Sequence, residues 1–171
     1  MDLEKQKTYN QAEEAKGAIK IISLREGFAY LNKKFKSEKD FDKNIINKIP
    51  FLIDKMYGYK VVNIQQQKVF DLTNHGYYKI IVDFFVETKE GKSFIIESKN
   101  PIQEKSETIL AIGQIMSYDF IVSKIPIDCQ VILATSVFDF KYLEFMAHYN
   151  LKFDLILNNE NQVAFWINEW K

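Results

Sequence analysis

One stretch limits the folds open to this chain more than any other: Lys79 to Lys99, KIIVDFFVETKEGKSFIIESK. Two segments dense in Val, Ile and Phe flank Lys89-Glu90-Gly91, and such residues favour strands. A three-residue loop with glycine last is the pattern of a type I turn closed by a left-handed residue, so the stretch predicts a β-hairpin. Residues equidistant from Glu90 then face each other across it. Asp83 and Glu97 are such a pair, with Cβ atoms about 5 Å apart on one face of the sheet. Two carboxylates that close, flanked by Ile81, Val82, Phe84, Ile95 and Ile96, repel and lose hydration unless a cation or a shared proton relieves them. Lys99, two residues beyond Glu97 in a period-2 strand, points to the same face and supplies one positive charge, with room left for a hard divalent ion.

The rest of the composition bounds what can surround this hairpin. With 171 residues, 47% of them hydrophobic, the chain is one domain's worth and can bury a sizeable core. Residues 1–37 read as a basic helical extension and 38–171 as a single α/β domain. A lone cysteine, Cys129, rules out an internal disulfide or a cysteine zinc cluster and fits a reducing, cytoplasmic setting. The first residues lack the apolar core of a signal peptide, and no apolar run reaches membrane-spanning length, so no membrane partner is expected. Formal net charge is zero, which argues against indiscriminate coating of nucleic acid. The first 37 residues nevertheless carry 8 Lys/Arg against 5 Asp/Glu. Arg25 is the single arginine, so bidentate base readout is poorly supplied and phosphate contacts fall to lysines.

Along the chain, residues 2–16 are polar and helix-friendly, and Ala18 to Phe35 shows roughly helical spacing. The run Lys33-Lys34-Phe35-Lys36 is either a solvated helix end or a phosphate contact. Ser37 looks like an N-cap, with a helix to about Tyr57 that Pro50 bends or divides. Its inward stripe is Phe41, Ile45, Ile49, Leu52 and Met56. Glu38 and Asp42 extend that stripe, either as dipole-stabilising acids or as contributors to an interior site. Tyr59–Lys68 reads as a first strand, and Asn74-His75-Gly76 as an exposed turn. After the hairpin, Asn100-Pro101 stops the strand. Residues 105–123 form a helix whose apolar face is expected to be Ile109, Ile112, Met116 and Phe120. On its neighbouring face Gln114 and Tyr118 lie one turn apart, able to reach one place or forming only a polar shoulder. A strand, CQVILATS, a helix from Asp139 to Tyr149 and two strands, LKFDLILN and QVAFWIN, complete the chain. The order predicts a mixed central sheet flanked by helices: an early meander, then a return by helical crossover.

A strand acid, then acid-x-lysine on the partner strand, then a helix bearing Gln114 and Tyr118, resembles the PD-(D/E)xK nuclease superfamily over roughly Glu38 to Ser136. The pattern is closest to the amino-terminal nuclease domain of type I restriction motor subunits and related small nucleases. Val82 stands where the name motif has proline, a position whose side chain does no chemistry. The resemblance implies a restriction-endonuclease-like core. It implies Asp83 and Glu97 as metal-binding carboxylates, the backbone carbonyl of Ser98 as a further ligand, and Lys99 as the residue that orients the attacking water and offsets charge on the phosphorane. Glu38, or Asp42 in its place, would be the upstream helical acid, and Gln114 would support the site. The implied cofactor is Mg²⁺, with Mn²⁺ able to substitute; the implied substrate is DNA, with RNA not excluded, and the mode endonucleolytic. A homodimer follows by analogy, as the way a domain this small cuts both strands.

Two other readings compete. A silent member of such a family would bind DNA or assemble with proteins without turnover. A structural ion pair, Lys99 between two acids, would leave Gln114 and Glu38 pointing elsewhere.

Overall fold

The computed structural model describes residues 20–21, 35–99, 105–138 and 141–168. The expected helix over 2–16, the turn at Pro101 and most of the basic extension lie outside them. The chain is an α/β protein: among the described residues, seven strands form one mixed sheet with helices on both faces. In chain order the elements are β1 (Lys20–Ile21), α1 (Glu38–Ile46), α2 (Ile49–Tyr57), β2 (Val61–Asp71), a 3₁₀ turn (Thr73–His75), β3 (Lys79–Thr88), β4 (Ser93–Lys99), α3 (Lys105–Val122), β5 (Cys129–Thr135), α4 (Lys141–His148), β6 (Asp154–Asn158) and β7 (Gln162–Trp166).

The sheet order is β1-β7-β6-β5-β4-β3-β2. β2, β3 and β4 form the antiparallel meander, while β4–β5 and β5–β6 are parallel and are joined through α3 and α4. Both crossovers step the same way along the sheet, so the single handedness of such connections places both helices on one face. Ala111, Ile115 and Met146 accordingly share a core with Ile95, Val131 and Leu155. On the opposite face, Phe41, Ile45, Leu52 and Met56 of α1 and α2 cover Phe84, Phe94, Ile96 and Ile132.

Local chemistry sets the element ends. The Ser37 side chain accepts the Asp40 N–H at 3.1 Å and caps α1. Pro50 sits in the first turn of α2, and of the two outcomes expected of it the structure shows division, with the break at Asn47-Lys48. The predicted three-residue hairpin loop is present: Thr88 N–H donates to Lys92 O at 3.1 Å, and Gly91 takes φ +84°, which glycine adopts without a Cβ penalty. His75 lies on an exposed turn, as expected.

Two expectations are corrected. Helical spacing around Ala18 gave helix, but Lys20–Ile21 is a strand, paired in parallel with Gln162 and Val163 of β7. An open sheet edge outweighs local periodicity there. The second correction concerns α3, whose core face is Ala111, Ile115, Tyr118 and Val122; Ile112 is buried with them, whereas Ile109, Met116 and Phe120 face outward. α3 is apolar nearly all round, so its period alone could not choose a face.

Candidate active site

The β3–β4 register is the one the turn predicts, running from Glu87↔Ser93 to Phe84↔Ile96. The paired residues stop one step short of Asp83 and Glu97. There the backbone ladder gives way to a side-chain contact: Ser98 N–H donates to Asp83 Oδ2 at 2.8 Å. The other Asp83 oxygen accepts from Gln67 Nε2 at 3.1 Å.

Gln67 is the neighbour in β2, and the β2–β3 pairing also skips this level, between Gln66↔Phe84 and Lys68↔Val82. Its φ is +53°, a left-handed conformation inside a strand. The effect on side-chain direction can be read from the cores. Ile80 and Val82 pack under α3, yet Phe84 and Val86, also even-numbered, pack under α1 and α2. In β2, Phe70 joins the first group and Ile64 the second. A regular strand keeps i and i+2 on one face. Both strands therefore turn over together at Gln67 and Asp83, and the register is kept on either side. A non-glycine residue in this conformation costs about 1 kcal/mol or more, a strain found where a site requires it.

On the α3 side, Glu97 is 3% exposed. Its Oε1 accepts from Gln114 Nε2 at 2.7 Å and lies 3.2 Å from Lys99 Nζ; its Oε2 is buried with no partner. Burial, then the neighbouring Asp83 carboxylate, pushes the Glu97 carboxyl up to about 7, with Lys99 pulling the other way. The Gln114 Nε2 also lies 2.7 Å from Tyr118 Oη, and Tyr118 donates to Ile81 O at 3.2 Å. Gln114 and Tyr118 thus reach one place, and they do so on the core-facing side of α3. Burial, with Glu97 and Asp83 adding, raises the Tyr118 hydroxyl.

On the α1 side, Asp42 is half-buried and its Oδ1 has no partner. Burial pushes its carboxyl up to about 6; the Ser98 hydroxyl and Lys99 act against the rise, and Asp83 and Glu38 add to it. Ser98 faces Asp42 without a well-formed hydrogen bond, its buried Oγ also unpartnered. Glu38 is exposed at the start of α1, its carboxyl raised by partial burial and by Asp83 against the pull of Lys99. The structure thus groups Asp83, Glu97, Lys99, Gln114, Glu38 and Asp42 around the opened end of the hairpin. Of the two helical acids, Asp42 is the interior one and Glu38 stands at the rim. Cys129 is remote in character, a thiol pushed up to about 12 by burial.

Among the described residues, no group of three or more His, Cys, Asp or Glu side chains is gathered to hold a metal ion. The donor set still fits a hard cation of the Mg²⁺ type. Such an ion takes one or two carboxylates and keeps several waters, and the unpartnered, buried Glu97 Oε2 is the acceptor a cation would satisfy. Gln67 is the residue that sequence reasoning missed. The only signal was the polar run Gln65-Gln66-Gln67 interrupting an otherwise strand-like segment, and the β2 register could not be set because the connection to β3 is a long turn.

No protein-family model matches the sequence, and no curated protein matches it. Among solved structures it is similar to the crystal structure of a repair endonuclease from Pyrococcus abyssi, at 18% identity and a TM-score of 0.46, over 71% of this chain and 47% of that one. The chain therefore spans about half of that protein. A likeness this remote carries no function across, and the reading below stands on the side chains. No helix among the described residues is long and apolar enough to cross a membrane.

Proposed function

We propose that this chain is a metal-dependent nuclease that hydrolyses DNA phosphodiester bonds, cutting within the strand. The observation that carries the reading is the buried Glu97 carboxylate, one oxygen unsatisfied, beside Asp83 and Lys99 where the hairpin opens. Asp83, Glu97 and the Ser98 carbonyl are the residues that would hold Mg²⁺ or Mn²⁺, with Asp42 or Glu38 close by. A bound ion of this kind supplies Lewis-acid polarisation of phosphate and lowers the pKa of water.

The chain's own groups account for the rest. Lys99 is anchored on Glu97 yet about a third exposed, so its ammonium can meet an incoming phosphate, orient a water by hydrogen bonding and offset charge that develops on the phosphoryl oxygens. Gln114 fixes the Glu97 carboxylate from α3, and Tyr118 fixes Gln114. Gln67 and the Ser98 N–H hold Asp83 in one rotamer. Preorganisation of this kind lowers the cost of reaching the reactive geometry.

The test is cleavage of supercoiled, linear and single-stranded DNA, and of RNA, by purified protein with Mg²⁺, Mn²⁺ or EDTA, beside Asp83→Ala and Lys99→Ala. We expect nicking of plasmid that needs a divalent ion and disappears in both variants. Equal cleavage by all three proteins would mark a contaminant. Nucleic-acid binding with no cleavage under any condition would replace the proposal with a non-catalytic binding module.

A further inference from the structure

We infer that the outer face of α3 is the two-fold contact of a homodimer, in which α3 packs antiparallel on α3 of a second copy. Ile109, Gly113, Met116 and Phe120 lie along one stripe at spacings of four, three and four residues, the seam of a helix pair. Their exposures are 53% for Ile109, 46% for Met116 and 52% for Phe120; Phe145 at 43% and Tyr149 at 61% border the stripe from α4. Phe120 ends the stripe with Tyr77 edge-on to its ring, and Ile109, Gly113, Met116, Phe145 and Tyr149 line a groove of about 480 Å³. Among the described residues nothing covers it.

Three observations select a second copy as the occupant. The first is area. A fully covered aromatic buries roughly 200 Å², so these half-exposed side chains leave roughly 500 Å² of contiguous apolar surface. A specific interface of standard size buries about 800 Å² per partner, a little over half of it apolar, which is about the same amount.

The second observation is self-complementarity. In an antiparallel pair centred between Gly113 and Met116, Gly113 meets Met116 of the second copy and Ile109 meets Phe120. A gap faces a long flexible side chain, and each contact occurs twice by symmetry. This also accounts for a glycine that the monomer does not need: Gly113 has ordinary helical backbone, and a Cβ built there would meet nothing within 4 Å. Glycine in a helix interior is otherwise unfavourable relative to alanine.

Charge is the third. Net charge is zero, so two copies approach without net repulsion.

The experiment is sedimentation equilibrium of the full chain through the micromolar range, in EDTA, so that it reads association and not cleavage. We expect a species of twice 20.2 kDa. Gly113→Leu should raise the dimer dissociation constant at least tenfold while its circular dichroism and thermal midpoint as a monomer stay at or above wild type. Gly113→Leu/Met116→Ala, which moves the bulk to the other side of the same contact, should restore dimers. A wild type that remains at 20.2 kDa, a dimer indifferent to Gly113→Leu, or a double variant no better than the single one would each overturn the inference.

Discussion

Replacing Glu97 by glutamine isolates the cost of the buried carboxylate. Its carboxyl lies at about 7 against an ordinary value of 4.5, and the side chain is almost completely enclosed. A difference of that size is worth about 3 kcal/mol between the two protonation states. The sign follows from linkage. The folded pKa is raised, so the group's contribution is fully present below pH 4.5 and is lost as pH rises through 7. At pH 8 without metal, wild type therefore carries the whole penalty. Glutamine removes the charge and keeps an oxygen for Gln114 Nε2 and Lys99. Against this, it places an amide where Oε2 now has no partner, at a cost of about 1 kcal/mol, and Lys99 loses an ionic partner. The net expectation is a variant more stable than wild type by about 1–2 kcal/mol at pH 8, with the gap closing by pH 5. Urea denaturation at both pH values in EDTA measures it through the midpoint at unchanged m. Mg²⁺ at ten times its dissociation constant should add about 1.4 kcal/mol to wild type, and much less to the variant. A Glu97→Gln protein no more stable than wild type at pH 8, or a gap identical at the two pH values, would refute the reasoning.

Lys99→Ala should lower the cleavage rate by about 10²–10³, as for loss of one preorganised charge donor, with the urea midpoint showing the protein still folded. Gln67→Gly and Gln67→Ala both remove the hydrogen bond to Asp83 and should both slow cleavage. Glycine alone relieves φ +53°, so it should be the more stable of the two by about 1 kcal/mol in thermal denaturation. Lys48 is buried, and its ammonium is held by Asn44 Oδ1 and Asn158 Oδ1, each at 2.7 Å, and by Asn159 O. Lys48→Met takes the donor from Asn158 Oδ1 and Asn159 O, while Asn44 Oδ1 keeps that of Asn158 Nδ2, and should cost about 2–3 kcal/mol, read as a fall in urea midpoint with cleavage per folded molecule unchanged.

The parts of the fold that were legible are those in which one local rule decides alone. The Lys89-Glu90-Gly91 loop set the β3–β4 register, because a three-residue loop closed by glycine leaves no freedom in which residues face each other. Ser37 and Pro50 marked helix starts by their hydrogen-bonding chemistry. Periodicity failed where every phase was apolar. In α3 any stripe could have been the core, and the choice fell to Gln114 and Tyr118, which must face Glu97 and so turn Ile109, Met116 and Phe120 outward. Lys20–Ile21 failed for the complementary reason: its strand exists only because β7 leaves an edge to pair with, and nothing within two residues reports that.

The site shows why the opened hairpin is more than a detail of pairing. In an unbroken ladder Asp83 and Glu97 would both face α3, and the acids of α1 would lie across the sheet from them. Instead β2 and β3 turn over at Gln67 and Asp83. Asp83 consequently acts electrostatically on both layers, raising Glu97 and Tyr118 on one side and Glu38 and Asp42 on the other. The left-handed backbone at Gln67 accompanies that reversal, and the same residue's side chain restrains the carboxylate placed at the boundary. Strain of about 1 kcal/mol is small beside the cost of keeping several acids together without a cation, so the two features have one explanation. The local fold is arranged around a concentration of acids whose charge Lys99 offsets in part, and whose raised carboxyls at Glu97 and Asp42 record what remains unbalanced.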